Sequence, residues 1–250
     1  MAGSSRVGLR RRSLLCTTAA IIAPWTPAFA EDANLPRFST ASPGAGIPPG
    51  WSHETLPKVE RPNEYGIVAD QDTSVLRVRS ASSASTLAAP ARIGATQAAS
   101  LRWRWKVSRA LAGSDLRSKA GDDYAARVYV LFDLPSERLS LADRVRIQAA
   151  RTLSGREIPA AAICYVWGNA QPAGSSGWNP YTDRVRMVVV ESGAERAMQW
   201  RSVERDLRRD WNDAFPGPMP PVRAIAVGAD TDNTNDEVQA WFGDLVLAVT

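Results

Sequence analysis

Apolar residues recur along this chain in short runs, most of them at period two, and that period assigns the elements. Runs at residues 74–79, 101–107, 124–133, 161–167, 182–191, 222–228 and 241–249 predict β-strands. In the second run Leu101, Trp103, Trp105 and Val107 fall on one face while Arg102, Arg104 and Lys106 fall on the other. One face is therefore core and the other wet. Two segments carry helical spacing instead. Leu141, Val145 and Ala149 recur within 140–151, and Val203, Leu207 and Trp211 within 202–215. Each segment opens on a Ser suited to an N-cap, so both are predicted to be amphipathic helices packed on a sheet. No βαβ alternation or internal repeat is visible. The expected fold class is mainly β: an antiparallel β-sandwich of jelly-roll type with two inserted amphipathic helices.

The first thirty residues have a different character. They combine an Arg-rich start, an apolar stretch from Leu14 to Phe29, and Ala28-Phe29-Ala30 as a small-x-small site, which predicts an export signal over 1–30 cleaved after Ala30. Arg11-Arg12-Ser13-Leu14-Leu15 also resembles a twin-arginine signal, so a Sec or a twin-arginine route fits. Pro24 and Pro27 break the stretch, and no later segment reaches about 18 apolar residues, so an integral membrane protein is not expected. The expected location is periplasmic or secreted. Residues 31–50, rich in Pro, Gly, Ala and Ser, predict a tether or irregular arm, and 51–250 a single β-sandwich domain.

That division changes the meaning of the charge. The whole chain has a net charge of +4 and a pI near 9.4. Arg6, Arg10, Arg11 and Arg12 all lie in the leader, which holds no acid, leaving 26 basic against 26 acidic residues in the remainder. No phosphate-binding surface and no nucleic-acid partner are expected of a neutral domain. Only Cys164 follows the leader, within the apolar run Ile163-Cys164-Tyr165-Val166-Trp167, so an internal disulfide is impossible and a buried, inert thiol is expected.

Catalytic motifs are mostly missing. His53 is the only histidine, beside Trp51, where an exposed or stacking role is expected rather than catalysis. No GxSxG, HExxH, paired Cys/His spacing, GxxxxGK[ST] or GxGxxG is present. Serine hydrolases, zinc enzymes, nucleotide-driven enzymes and nicotinamide enzymes are all disfavoured.

What remains is acidic, aromatic and basic. Asp122 and Asp123 stand at the entry to a strand, and Asp230, Asp232, Asn233, Asn235 and Asp236 crowd the loop before the last one. Asp230, Asp232, Thr234 and Asp236 fall at alternate positions, a spacing that suits Ca²⁺, which makes Asp230, Asp232 and Asp236 candidate metal ligands. An EF-hand would need Gly and Glu where Asn235 and Trp241 stand, and the plainer expectation is an Asp/Asn-rich turn. A glycosidase would pair Asp122 or Asp123 with Asp230 or Asp232. Eight Trp follow the leader: Trp103, Trp105, Trp211 and Trp241 are expected in the core, and Trp178, in a Gly/Ser loop, is the candidate for stacking on a sugar. Arg77/Arg79, Arg102/Arg104/Lys106 and Arg184/Arg186 alternate on their strands and would form a basic ladder if those strands were neighbours. Such a ladder could grip an acidic glycan, against the simpler expectation of a solvated face.

Several segments together carry a family resemblance. Leu101-Arg102-Trp103-Arg104-Trp105-Lys106-Val107, the stretch Lys119-Ala120-Gly121-Asp122-Asp123-Tyr124-Ala125-Ala126-Arg127-Val128-Tyr129-Val130, and Ala229-Asp230-Thr231-Asp232-Asn233-Thr234 resemble a bacterial exported family known as domain of unknown function number 3047. Tyr165-Val166-Trp167 and Thr182-Asp183-Arg184-Val185-Arg186 also fit. The resemblance spans roughly 51–249 and implies a periplasmic or secreted β-rich domain; it brings no established activity or catalytic residues.

The expected function is an exported, non-catalytic binding or accessory domain, most simply for carbohydrate. Asp123, Arg127, Trp178, Asp183, Arg184, Asp230, Asp232 and Asn233 are its candidate ligand-binding residues. A glycan hydrolase or lyase using Asp, Arg and Tyr, or a structural factor of cell-envelope assembly, are the alternatives. Convergence of the candidate residues would separate them.

Overall fold

Strand alternation sorts the side chains of this protein between one interior and two outer faces. The computed structural model describes Met1 and residues 31–33, 35–56, 59–94, 97, 99–142, 144–145, 148 and 160–249. Among the described residues the strands are β1 Glu31–Ala33, β2 Ser52–Thr55, β3 Glu64–Asp70, β4 Thr73–Ala81, β5 Ala84–Ile93, β6 Ala99–Val107, β7 Tyr124–Phe132, β8 Ala161–Gly168, β9 Ser176–Asn179, β10 Thr182–Ser192, β11 Arg201–Asp206, β12 Val222–Asp230, β13 Glu237–Phe242 and β14 Val246–Val249. They form two seven-stranded sheets. Sheet A runs β1-β14-β6-β13-β4-β3, with β11 on the other edge of β6, and sheet B runs β2-β5-β12-β7-β8-β10-β9.

The mainly β sandwich stands, but it is not wholly antiparallel. β10 lies parallel to β8. After β8 the chain skips one strand width, returns as β9 on the outside, and the β9–β10 hairpin places β10 in the gap. An alternating run reads the same in either direction, so the sequence pattern holds no trace of this insertion.

A smaller buried cluster of Leu116, Tyr124, Cys164, Val166, Met187 and Val189 lies on the other face of sheet B, and the main core lies between the sheets. Sheet A supplies Leu101, Trp103, Trp105 and Val107, and sheet B supplies Val128, Val130, Phe132, Ile163, Tyr165 and Trp167. Trp105 meets Trp103 edge-on at 5.5 Å between centroids and reaches Trp167 across the sandwich at 6.0 Å. Trp241 is a correction to the expected core. Val238, Ala240 and Phe242 take the inward positions of β13, so period two turns Trp241 outward, half-buried.

The expected helix over 202–215 is half strand. Residues of β11 pair with the free edge of β6, from Arg201 opposite Trp105 to Asp206 opposite Ser100. Helix α1 spans only Leu207–Ala214, capped by Asp206, whose carboxylate accepts from the Arg209 N–H at 3.0 Å. Leu207 and Trp211 bury its inner face, and Pro216 follows its end. Of the helix expected over 140–151, several residues lie outside the described set, and Leu141 and Val145, meant for its packed face, are exposed. A single bounded α-helix, α1, is therefore present among the described residues, not two.

Residues 31–50 include a packed arm. Phe38 is buried against Trp51 at 4.8 Å, the Trp51 indole N–H donates to the Pro36 carbonyl at 3.0 Å, and β1 pairs with β14. This arm delivers Ser39 to Asp244, whose Oδ1 and Oδ2 accept from the Ser39 N–H at 2.9 Å and its hydroxyl at 2.5 Å. Residues 2–30, where the export signal is expected, lie outside the described residues.

Candidate functional site

β7 places Arg127 on the outer face of sheet B, because Val128, Val130 and Phe132 take the inner positions. The segment before β7 then folds over it, leaving Arg127 only 3% exposed. Its Nη2 donates to the Asp122 carbonyl at 2.5 Å, lies 3.3 Å from Asp122 Oδ1 and pairs with Asp230 Oδ2 at 2.9 Å. Its Nη1 donates to the Tyr129 hydroxyl at 3.1 Å. The remaining Asp122 oxygen accepts from Asn179 Nδ2 at 2.7 Å.

Asp123 is fully buried and spends its carboxylate on the neighbouring loop. Oδ1 accepts from the Asn233 N–H at 3.3 Å and from Asn233 Nδ2 at 3.0 Å, while Oδ2 accepts from the Thr234 N–H at 2.7 Å and its hydroxyl at 2.6 Å. Four bonds fill an ionised carboxylate. Asp123 is thus a clasp that fastens the 231–235 loop to the start of β7.

Carboxylate oxygens of Asp123, Asp230 and Asp232 lie within 4.8 Å of one another. Asp236, expected beside them, is elsewhere: Asn235 takes a left-handed conformation at φ 53° and Asp236 pairs with Arg109. Of the other three, Asp230 is paired with Arg127, while Asp123 accepts from the loop residues Asn233 and Thr234 and Asp232 accepts from Asn233. Burial pushes the Asp230 carboxyl well above the usual carboxylate range; Arg127 pulls it down, and the nearby Asp232 and Asp123 push it up again. Burial also pushes the Cys164 thiol up to about 12, so it is inert at neutral pH. His53 is half-buried, edge-on to Tyr65 at 5.0 Å and within 2.9 Å of the Ser85 hydroxyl.

Asp123, Arg127, Asp230, Asp232 and Asn233 therefore come together, with Asp122. Trp178, Asp183 and Arg184 do not join them. Trp178 and Asn179 alternate on β9; Asn179 reaches Asp122, and Trp178 turns the other way, edge-on to Phe215 at 5.3 Å and under the Arg186 guanidinium at 5.1 Å. Asp183 and Arg184 line a cavity of about 160 Å³ beside Trp211 and Phe215. Arg184 Nη1 donates to the Ala160 carbonyl at 3.1 Å.

The outer face of sheet A holds a second constellation. β13 lies between β6 and β4, in a register that sets Trp241 opposite both Lys106 and Arg77. The continuous basic ladder expected from period two is therefore corrected: β13 separates Arg77 and Arg79 on β4 from Arg102, Arg104 and Lys106 on β6, Arg79 is ion-paired with Glu64 and Glu237, and Arg184 and Arg186 belong to sheet B. Lys106 sits 5.0 Å from the Trp241 ring and 5.0 Å from the Trp200 ring, and is ion-paired with Asp70. Asp70 also accepts from the Trp200 indole N–H at 3.3 Å, which fixes that ring. Burial alone would raise the Asp70 carboxyl; the bonds from Lys106 and Trp200, with the charges of Lys106 and Arg104, hold it below the usual range. The Arg104 guanidinium carbon lies over the Trp200 ring, 4.6 Å from its centroid, within cation–π range.

Beside that pair lies a cavity of about 760 Å³ lined by Arg102, Arg104, Glu204 and Asp244, and by Ser39, Thr73, Ser74 and Ser202. Gly243 lines it too, and a Cβ there would come within 2.6 Å of Arg104 Cγ. Among the described residues the side chains of Arg102 and Arg104 have no hydrogen bond or ion pair. Trp200, in the turn before β11, was missing from the sequence reading; its one signal is an indole two positions before Ser202, a residue the helical spacing had claimed.

The family model described as "Protein of unknown function (DUF3047)" matches residues 49–246. No curated protein matches the chain. Among solved structures, the family 30 carbohydrate-binding module of cellulosomal cellulase Cel9D-Cel44B of Clostridium thermocellum is 12% identical, with a TM-score of 0.38 over 82% of this chain and 94% of that one. The xyloglucanase domain of NopAA, a type three effector from Sinorhizobium fredii solved with cellobiose, is 12% identical, with a TM-score of 0.43 over 85% of this chain and 100% of that one. A structure titled "CBM4 structure and function" is 13% identical, with a TM-score of 0.34 over 80% of this chain and 95% of that one. At this level of likeness, what those proteins bind or cut is said of them alone.

Proposed function

The chain belongs to the family described as protein of unknown function (DUF3047), and we propose that it is an exported, non-catalytic domain that binds carbohydrate on the outer face of sheet A. The observation that supports this reading is the cavity of about 760 Å³ beside the Arg104–Trp200 pair. Sugars present many hydroxyls, and a cavity lined by hydroxyls, carboxylates and guanidiniums offers donors and acceptors at close spacing. Of the acids that the sequence offered a hydrolase, Asp123 is fully buried with four bonds, and Asp122 is held by Arg127 and Asn179. That favours binding over cleavage.

Export rests on the Arg-rich, apolar and Ala-x-Ala character of residues 1–30. Fractionation of cells expressing the full chain should recover protein beginning at Glu31 outside the cytoplasm; protein that keeps Met1 there would remove this part. For binding, native gels cast with soluble polysaccharides should retard the purified protein, and Arg104→Gln should restore its mobility. Unretarded migration in every gel would end the carbohydrate reading.

A further inference from the structure

Three features of the sheet A face bear on what kind of glycan it takes. First, Arg104 is seated before any ligand arrives. Its aliphatic stem lies against Gly243 and its guanidinium lies over Trp200, whose ring is tied to Asp70. A guanidinium held over a ring by cation–π attraction spends no N–H donor on a hydrogen bond, and its donors form the planar fork that a carboxylate matches with two parallel bonds. Second, Arg102 follows on the same side of β6, two residues away, also without a hydrogen bond or ion pair among the described residues. Its separation from Arg104 along the strand is about 7 Å. Third, the acids on this face are largely engaged. Asp70 is paired with Lys106, and both oxygens of Asp244 accept from Ser39. Glu204, in register with Arg102 across the β6–β11 pair, is the exception.

We infer that the groove along β6 takes a carboxylate-bearing polysaccharide, with Arg104 and Arg102 as the forks that receive its uronate groups. This rests on the carbohydrate reading above and narrows it. The hydroxyls of Ser74 and Ser202 flank the forks and face sugar hydroxyls, while the carboxylates supply the charge that two unpaired guanidiniums lack. Glu204 competes with the ligand for Arg102. Arg104 and Arg102 contact ligand directly in this account, and Gly243 acts through Arg104 as a positioning residue.

The test is calorimetric titration of the purified protein with polygalacturonate, its fully methyl-esterified form, hydroxyethylcellulose and poly-L-glutamate, with the melting temperature of each variant as the folding control. Polygalacturonate should bind at least tenfold tighter than its ester. Arg104→Gln should lose at least tenfold with an unchanged melting temperature, Gly243→Ala should weaken binding by displacing Arg104, and Glu204→Gln should tighten it. Equal binding of polygalacturonate, ester and hydroxyethylcellulose would leave the carbohydrate reading standing and overturn the uronate inference. Poly-L-glutamate binding as tightly as polygalacturonate would mark a general polyanion surface and overturn both. Binding to none of the four would overturn both as well.

Discussion

Arg127 and Arg104 stand on the outer faces of opposite sheets, and the protein uses them in opposite ways. Arg127 is sealed under the loops that precede β7 and follow β12, and it has two carboxylates, a carbonyl and a hydroxyl within reach. Arg104 lies half-buried over an indole at the rim of a cavity, with no hydrogen bond or ion pair among the described residues. A buried charge is retained only where partners compensate its desolvation, so the Arg127 cluster is spent on the fold. A cation held over a ring at a cavity rim needs no such partners and keeps its donors for a ligand. Density of charged residues alone does not separate the two; what the side chains touch does.

Breaking the sheet B cluster should have the largest effect. Arg127→Ala leaves Asp122 and Asp230 without their cation and should cost about 3–5 kcal/mol in chemical denaturation; a midpoint within error of wild type would show that the cluster is not structural. Next in size is Gly121→Ala. A Cβ there would come within 2.7 Å of the Gly113 carbonyl and 2.9 Å of the Asp115 nitrogen, so the loop beneath Asp122 must shift. Overpacking of that kind costs about 1–3 kcal/mol, and a loss below that range would mean the loop relaxes freely.

A smaller effect comes from pH. The Asp230 carboxyl titrates in the folded protein above its unfolded value near 3.9, so between those two points the folded state holds a proton that the unfolded chain has lost. Its contribution to stability is fully present below the unfolded value and declines as pH rises towards the folded one. Asp230→Asn keeps an oxygen for Arg127 and never ionises. The stability of wild type relative to this variant should fall with rising pH across that window; a difference that rises with pH would reverse the assignment.

On sheet A, Arg104→Gln should change stability by no more than about 0.5 kcal/mol, as for an ordinary surface substitution, while removing ligand binding. Its double with Arg127→Ala should show no coupling in stability, because the two sites share no partner. The smallest expected response is to calcium. Because Arg127 already gathers Asp122 and Asp230 and the Asp123 oxygens are bonded, neither Ca²⁺ nor a chelator should move the melting temperature. A clear rise with Ca²⁺ would place a cation among Asp123, Asp230 and Asp232 after all.

Much of the frame was legible from period two. The split of Trp103 and Trp105 from Arg102 and Arg104 is set by the pleat, and burial shows it directly. The places of Asp122, Asp123, Asp230, Asp232 and Asn233 at strand ends were legible too, although their meeting entered only as what a glycosidase or a shared binding site would require. What escaped depended on partners remote in sequence. The spacing of Val203, Leu207 and Trp211 fits a helix, yet the free edge of β6 drew Val203 into β11 and left the helix to begin at Leu207. Trp241 went outward because Phe242, its neighbour, took the core position beside Trp105, at 6.2 Å between ring centroids. Trp200 gained its place from Asp70, 130 residues earlier. No local pattern holds that pairing.

The central claim is that ligand binds to the sheet A face and that the sheet B cluster serves only the fold. Hydrogen–deuterium exchange of the protein with and without polygalacturonate tests it most directly. The account predicts added protection confined to residues 73–75, 100–107, 199–206 and 239–246. Protection at residues 117–123 and 230–236 in their place would contradict it.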